Sequence, residues 1–186
     1  SGFYVLINRD LGVLYEVVGE IDKAADAYEV VFDGLQNPSD YSIDRRTMQD
    51  LKRNSLTSFE KMGLVILKAN RIKKAREVLE AGLKQNVKSG SLNLALAKVY
   101  YKSEASKKAL EQLELFFTSK LPNDTKESYQ LLQEVLRALD KEKELVARIE
   151  KLAKANPRIS QLQFFLAQVY VGFKRLDDAE KIYRAA

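Results

Sequence analysis

A short apolar pattern returns along this chain at nearly constant spacing, and it constrains the fold more than any other feature. The string Leu96-Ala97-Lys98-Val99-Tyr100 recurs seventy residues later as Leu166-Ala167-Gln168-Val169-Tyr170. Weaker copies run from Leu132 to Leu136, from Met62 to Ile66 and from Leu11 to Tyr15. The second residues of these copies are Gly12, Gly63, Ala97, Gln133 and Ala167, separated by 51, 34, 36 and 34 residues. A second signature follows each copy, a small residue and then a large apolar one four later. It reads Ala24 and Tyr28, Ala75 and Leu79, Ala109 and Leu113, Leu145 and Ile149, Ala179 and Tyr183. Its spacings are the same four numbers, so two features share one register.

A repeat of about 34 residues holds two helices of roughly 12 to 15 residues each, which are marginal alone in water. A Gly or Ala on the first helix lets the second approach closely, and the large residues fill the space beside that contact. Stacked pairs then bury a continuous core, which takes about three or more repeats. The pattern predicts helices at 3–18 and 21–36, 55–69 and 72–86, 91–103 and 106–119, 125–139 and 142–155, and 160–173 and 176–186. Gly19 and Asn70 are expected in left-handed geometry at tight turns. Ser91 and Ser160 are expected as N-caps, and Asp124 with Glu127 as a capping box.

The units run 1–38, 55–88, 89–122, 123–157 and 158–186. The fourth is degenerate, because Gln133 and Leu145 stand where small residues are expected, and it should pack loosely or splay. The first interval exceeds 34 by 17 residues, which marks 39–54 as an insertion. Asn37-Pro38 ends the preceding helix. Beyond it, Ile43 to Asn54 reads either as a separate helix or as an extension of the helix through Gly63.

Composition removes most chemistry. The chain has no Cys and no His, so thiolate metal sites, disulfides and imidazole catalysis are absent. No Gly-rich phosphate loop is present, and no cofactor or metal is expected. No apolar run approaches the roughly 18 residues that span a bilayer. Net charge is +5. Residues 68 to 88 hold Lys68, Arg71, Lys73, Lys74, Arg76, Lys84 and Lys88 against Glu77 and Glu80. This stretch reads as a solvated face with Lys73–Glu77 and Arg76–Glu80 pairs. An acidic-partner or nucleic-acid patch would have the same charge, but no aromatic residues are interleaved for base stacking.

The chain resembles the tetratricopeptide repeat family, on Leu11, Gly12, Tyr15, Gly19, Ala24 and Tyr28 of the first unit and on Pro157, which stands at the family's closing proline. The resemblance implies an all-α fold, a right-handed α-solenoid of about five antiparallel helix pairs, forming a superhelix lined on its concave face by the first helix of each pair. It implies a non-catalytic scaffold that binds a protein, a peptide or a partner helix. Carried over by register, the concave face includes Arg9, Leu64, Lys68, Leu94, Lys98, Tyr101, Lys102, Glu134, Arg137, Phe164 and Gln168. Lys98, Tyr101 and Lys102 form the strip best suited to a peptide with apolar and acidic parts. A family subclass clamps chaperone C-terminal carboxylates with Lys and Asn one turn apart. The corresponding pairs here are Arg9 with Val13, Glu60 with Leu64, Leu94 with Lys98, Gln130 with Glu134 and Phe164 with Gln168, and none fits. A basic RNA-binding helical repeat is the alternative, though Leu, Val and Phe occupy its base-reading positions. Ser1-Gly2 reads as a cloning remnant and Tyr183 would lie beside a missing neighbour. The array is therefore expected to continue in a longer parent, or to associate with itself through its ends.

Overall fold

The computed structural model describes residues 1–53, 55–119 and 126–185. Its helices follow the sequence register within a residue or two at each end, except that α9 starts three residues later than expected. The first pair is α1 (Gly2–Val17) and α2 (Ile21–Gln36), followed by α3 (Arg45–Arg53) from the insertion. The next pairs are α4 (Ser55–Lys68) with α5 (Ile72–Gln85), and α6 (Gly90–Lys102) with α7 (Ser106–Thr118). Then come α8 (Lys126–Ala138) with α9 (Leu145–Ala155), and α10 (Ser160–Gly172) with α11 (Leu176–Ala185). Each second helix packs on its own first helix and on the first helix of the next pair, while α4, α6, α8 and α10 also touch in series. That arrangement is a solenoid.

The five turns inside the pairs are copies of one another. Gly19, Asn70, Glu104, Asp140 and Lys174 all have φ between 57° and 81°. Their spacings are again 51, 34, 36 and 34. The next residue in each turn donates its N–H to the carbonyl five residues back, at 2.8–3.1 Å, and the left-handed residue donates to the carbonyl three back. These two bonds form a Schellman motif, which satisfies carbonyls that the helix end would leave open. Gly and Asn adopt this geometry readily, whereas Glu104 and Lys174 carry a Cβ penalty. Lys174→Gly is therefore expected to stabilise the protein by about 0.5–1 kcal/mol, read as a higher denaturant midpoint.

The small–large register is a set of physical contacts. A Cβ on Gly12 would lie 2.5 Å from Tyr28 Cε1, and one on Gly63 would lie 2.5 Å from Leu79 Cδ2. The glycines are thus the sockets for the large residues of their partner helices. Two further contacts join neighbouring pairs at equivalent positions. Phe32 meets Phe59 edge to face with centroids 6.3 Å apart, and Phe117 stacks on Tyr129 at 5.8 Å. The core is continuous because α6 serves both halves. Leu92, Leu96 and Val99 pack towards the N-terminal pairs, and Ala97 packs towards the C-terminal ones.

Within the insertion, Arg45–Arg53 form helix α3, and residue 54, between it and α4, lies outside the described residues. Asp44 caps it by accepting the Thr47 N–H at 2.7 Å, which also holds the Asp44 carboxyl below its ordinary value. Ile43 reaches Gly34 of α2, Leu51 is buried, and Tyr41 donates to Asp33 at 2.7 Å. The insertion therefore buttresses the first pair.

Several local expectations need correction. The N-cap of α6 is Ser89, whose hydroxyl accepts from Leu92 N, and Ser91 lies inside the helix. The N-cap of α10 is Ile159, so Ser160 is the first helical residue. Glu77 pairs with Lys74 at 3.3 Å rather than with Lys73, while Arg76–Glu80 forms as expected at 3.8 Å. Asp124 lies outside the described residues, so the capping box falls there too. In the fourth pair, α8 and α9 touch over less of their length than the other pairs do, and α9 is entered through a 3-10 turn, Glu142–Glu144. Bulky Gln133 and Leu145 account for this separation.

Candidate functional site

Residues of the first helices α1, α4, α6 and α8 line a hollow of about 470 Å³. Leu64, Leu67 and Val65 form its apolar floor, and Lys61, Lys68 and Lys98 stand around it with Glu16, Glu60 and Glu127. Side chains of one helix reach this hollow at every third or fourth position, so Leu64 and Lys68 of α4 share a face.

Two ion pairs bridge successive first helices across the hollow. Lys61 contacts Glu16 at 3.1 Å, and Glu16 also accepts from the Tyr28 hydroxyl at 3.2 Å. Burial raises the Tyr28 phenol above its ordinary pKa, and Glu16 adds to this, against the opposing pull of Lys61. Burial lowers the Lys61 ammonium, but the bonds to Glu16 and Tyr28 outweigh it, so its pKa is raised. Lys98 contacts Glu127 at 2.6 Å, and that bond holds the Glu127 carboxyl low, with Lys68 adding a weaker field. Glu127 itself is exposed. Such a pair is worth little in water and exchanges partners readily.

The residues expected on the concave face do not share one site. Leu64, Lys68 and Lys98 line the hollow together. Lys102 stands at its margin, donating to the Leu67 carbonyl at 3.3 Å. Leu94 and Tyr101 are half-buried against the C-terminal core and line none of the hollows. Arg137 and Gln168 line a second hollow of about 500 Å³ between α8 and α10, with Gln130, Gln133 and Phe173. Arg137 is held there by Glu142 at 3.0 Å. Glu134 is exposed on α8. Arg9 is paired with its neighbour Asp10 at 2.9 Å and lines neither hollow. Phe164 also lies elsewhere. Its ring packs against Tyr183 at 6.3 Å, and it lines a hollow of about 830 Å³ among α9, α10 and α11 at the end of the array.

Sequence reasoning missed the second hollow. A signal was available, because Gln133 and Leu145, the residues that break the small-residue register, both line it. It also missed Lys61 and Glu127, which pair with Glu16 and Lys98 at the first hollow. Among the described residues, no cluster of His, Cys, Asp or Glu is placed to hold a metal ion, and no helix is long and apolar enough to cross a membrane.

The joints between pairs carry their own polar pattern. Tyr100 donates to Glu80 at 3.1 Å and Tyr170 donates to Glu150 at 2.8 Å, at equivalent positions. Arg175 lies over the Tyr170 ring, 4.3 Å from its centroid. Burial, and then the bond to Glu150, push the Tyr170 phenol from 10.0 up to about 12. A phenol with a folded pKa above its unfolded value stabilises the fold below pH about 10, and that contribution is lost as pH rises to about 12. The melting temperature is therefore expected to fall over this window. In Tyr170→Phe, that alkaline fall should be visibly shallower.

Residues 146–186, from α9 to the end, match the family model of the tetratricopeptide repeat. The chain folds as a tetratricopeptide-type solenoid. Solved structures of this shape include MamA, which is 17% identical with a TM-score of 0.62, over 99% of this chain and 90% of that one. A MamA fragment from Desulfovibrio magneticus RS-1 is 15% identical with a TM-score of 0.59, over 98% and 92%. The pilF protein of Pseudomonas aeruginosa is 14% identical with a TM-score of 0.62, over 97% and 74%. At these identities the likeness is one of fold. No curated protein matches the sequence. The tetratricopeptide match begins at the second helix of the degenerate fourth unit, so it spans that unit's junction with the fifth.

Proposed function

We propose that this chain is a protein-binding scaffold without catalytic activity, holding an extended segment with acidic and apolar side chains in its concave groove. The observation that carries this reading is the hollow between α4, α6 and α8. It has a leucine floor, and Lys98 is engaged there by a carboxylate that solvent can replace. Lys68 is exposed beside it and has no carboxylate partner among the described residues. A ligand carboxylate can take the place of Glu127 on Lys98 while an apolar neighbour covers Leu64 and Leu67. Main-chain and side-chain complementarity along a groove is a common mode of peptide capture.

The test is selection from a library of random peptides, using the protein and a Lys68→Glu, Lys98→Glu variant as baits. Tyr101 is a poor probe because its ring also supports the core. Both lysines lie on the surface, so the variant should fold. The expected result is enrichment of acidic, apolar peptides by the protein and at least about tenfold weaker binding by the variant, since two attractions become repulsions. Peptides that bind both baits equally would move the site away from this groove. Failure to enrich peptides, together with salt-sensitive retention of RNA, would favour a nucleic-acid partner.

A further inference from the structure

The hollow between α8 and α10 differs in chemistry from the one that Lys68 and Lys98 flank. Its floor is Leu145, Phe165 and Val169, all buried. Its walls are amides. Gln130 and Gln133 line it from α8, three residues apart and so on one face, and Gln168 lines it from α10. Among the described residues, none of these three side chains has a hydrogen-bond partner. Position 133 recurs as Gly12, Gly63, Ala97 and Ala167 in the other units, so the fourth unit alone puts a hydrogen-bonding group there.

Charge around this floor is absent or cancelled. Among the described residues that line it, Arg137 and Glu142 are the charged ones, and Arg137 donates twice to one Glu142 oxygen, at 3.0 and 3.3 Å. At the position that holds Lys68 on α4 and Lys102 on α6, α10 has Gly172. A Cβ there would meet nothing within 4 Å, so open space lies where those lysines would stand. Phe173 lines the same edge, 39% exposed, and an aromatic ring at a rim favours a second ring beside it. Each glutamine amide offers donors and an acceptor, which a peptide group matches with its own N–H and carbonyl. A volume of about 500 Å³ falls within the roughly 300–1,000 Å³ of small-ligand sites.

We propose that the hollow between α8 and α10 is a second binding site, which takes one uncharged aromatic residue of an extended protein segment. The ring lies on Leu145, Phe165 and Val169 beside Phe173, and the flanking peptide groups meet the amides of Gln130, Gln133 and Gln168. A charged side chain is disfavoured there, because it would be buried without a free counter-ion. The proposal deepens the groove reading and rests on it only for the ligand being a protein segment. The chemistry of the hollow stands by itself.

The chain contains no tryptophan, so the fluorescence of an added indole reports on that indole alone. The probe is N-acetyl-tryptophanamide, an uncharged indole with a peptide group on each side. Titrating the protein into a dilute solution of it is expected to give a saturable blue shift, with a dissociation constant on the order of 1 mM. Gly172→Leu places a side chain in the open mouth from an exposed helical position. It should weaken binding about tenfold or more with the helical spectrum intact, because the new side chain clashes with the probe and not with the core. Gln168→Ala, also on the surface, should weaken it about threefold or more by removing one amide. Lys68→Glu with Lys98→Glu should leave binding unchanged, which separates this site from the first hollow. N-acetyltryptophan, with its free carboxylate, should bind more weakly than the amide. The proposal is overturned by the absence of a saturable shift, by a shift that Gly172→Leu leaves unaltered, or by its loss in the lysine variant. Tighter binding of the carboxylate form would also overturn it, by making Arg137 the recognising group, as would tighter binding of adenosine, which would point to a nucleobase. Failure of the peptide selection would leave these results standing, so the two readings fall separately.

Discussion

Tyr129→Ala is expected to destabilise the array by about 3–5 kcal/mol, the range for truncating a large aromatic in a core. Its ring is fully buried, stacked on Phe117 of the preceding pair and 5.5 Å from the Phe165 ring of the following one. It thus links three successive pairs, and alanine would leave a void that none of them can collapse to fill. In a repeat array, stability is a sum of unit terms and neighbour terms. The variant should therefore lose cooperativity as well as stability. Urea unfolding would show this as a lower midpoint together with a second transition, the N-terminal pairs outlasting the C-terminal ones. A single transition, displaced by less than about 1 kcal/mol, would mean that the ring carries little of the joint.

Gly63→Val is the second large effect, and it arises from crowding instead of loss. The added Cβ alone would sit 2.5 Å from two carbons of Leu79, which is itself fully buried. Overpacking of this kind costs about 1–3 kcal/mol, and the branched side chain fits a helix less well than alanine. A loss of about 2–3 kcal/mol is expected, corresponding to roughly 5–10 °C in melting temperature for a chain of this size. Trimming the opposing residue should reverse much of it. Gly63→Val with Leu79→Ala is expected to be less destabilised than the sum of the two single variants, because each change makes room for the other. Additivity would show that the socket and its occupant do not meet.

The pair architecture was legible because its cause is local and repeated. Gly12 with Tyr28 and Gly63 with Leu79 could be matched from spacing alone, and each match proved to be a contact. Helix ends were nearly as readable, since Gly19 and Asn70 announce left-handed turns. Glu104 and Lys174 do not, and only the register finds them, because their residue types resist the conformation that the motif imposes. The choice of Ser89 over Ser91 as a cap depends on where the preceding loop delivers the chain, which composition does not encode. The groove was harder still. Arg9 and Phe164 share the helical phase of Leu94, yet neither lines the hollow that Leu64 and Lys98 share. The pairing of Lys98 with Glu127 depends on the rotation between successive pairs, which is set by packing along the whole stack. The groove's balance of charge therefore became visible only in three dimensions.

The gap between α8 and α9 has a mechanical meaning. A solenoid behaves as a coil spring whose stiffness at each turn comes from the depth of interlocking there, and here one turn is shallower than the rest. Three well-meshed pairs on one side and a meshed pair on the other make two stiff segments in series with a compliant joint. Bending and torsional strain applied to the ends would concentrate at that joint and leave the pitch of the flanking turns unchanged. A ligand long enough to lie across both hollows would span the soft turn, and its length would set the curvature of the whole coil.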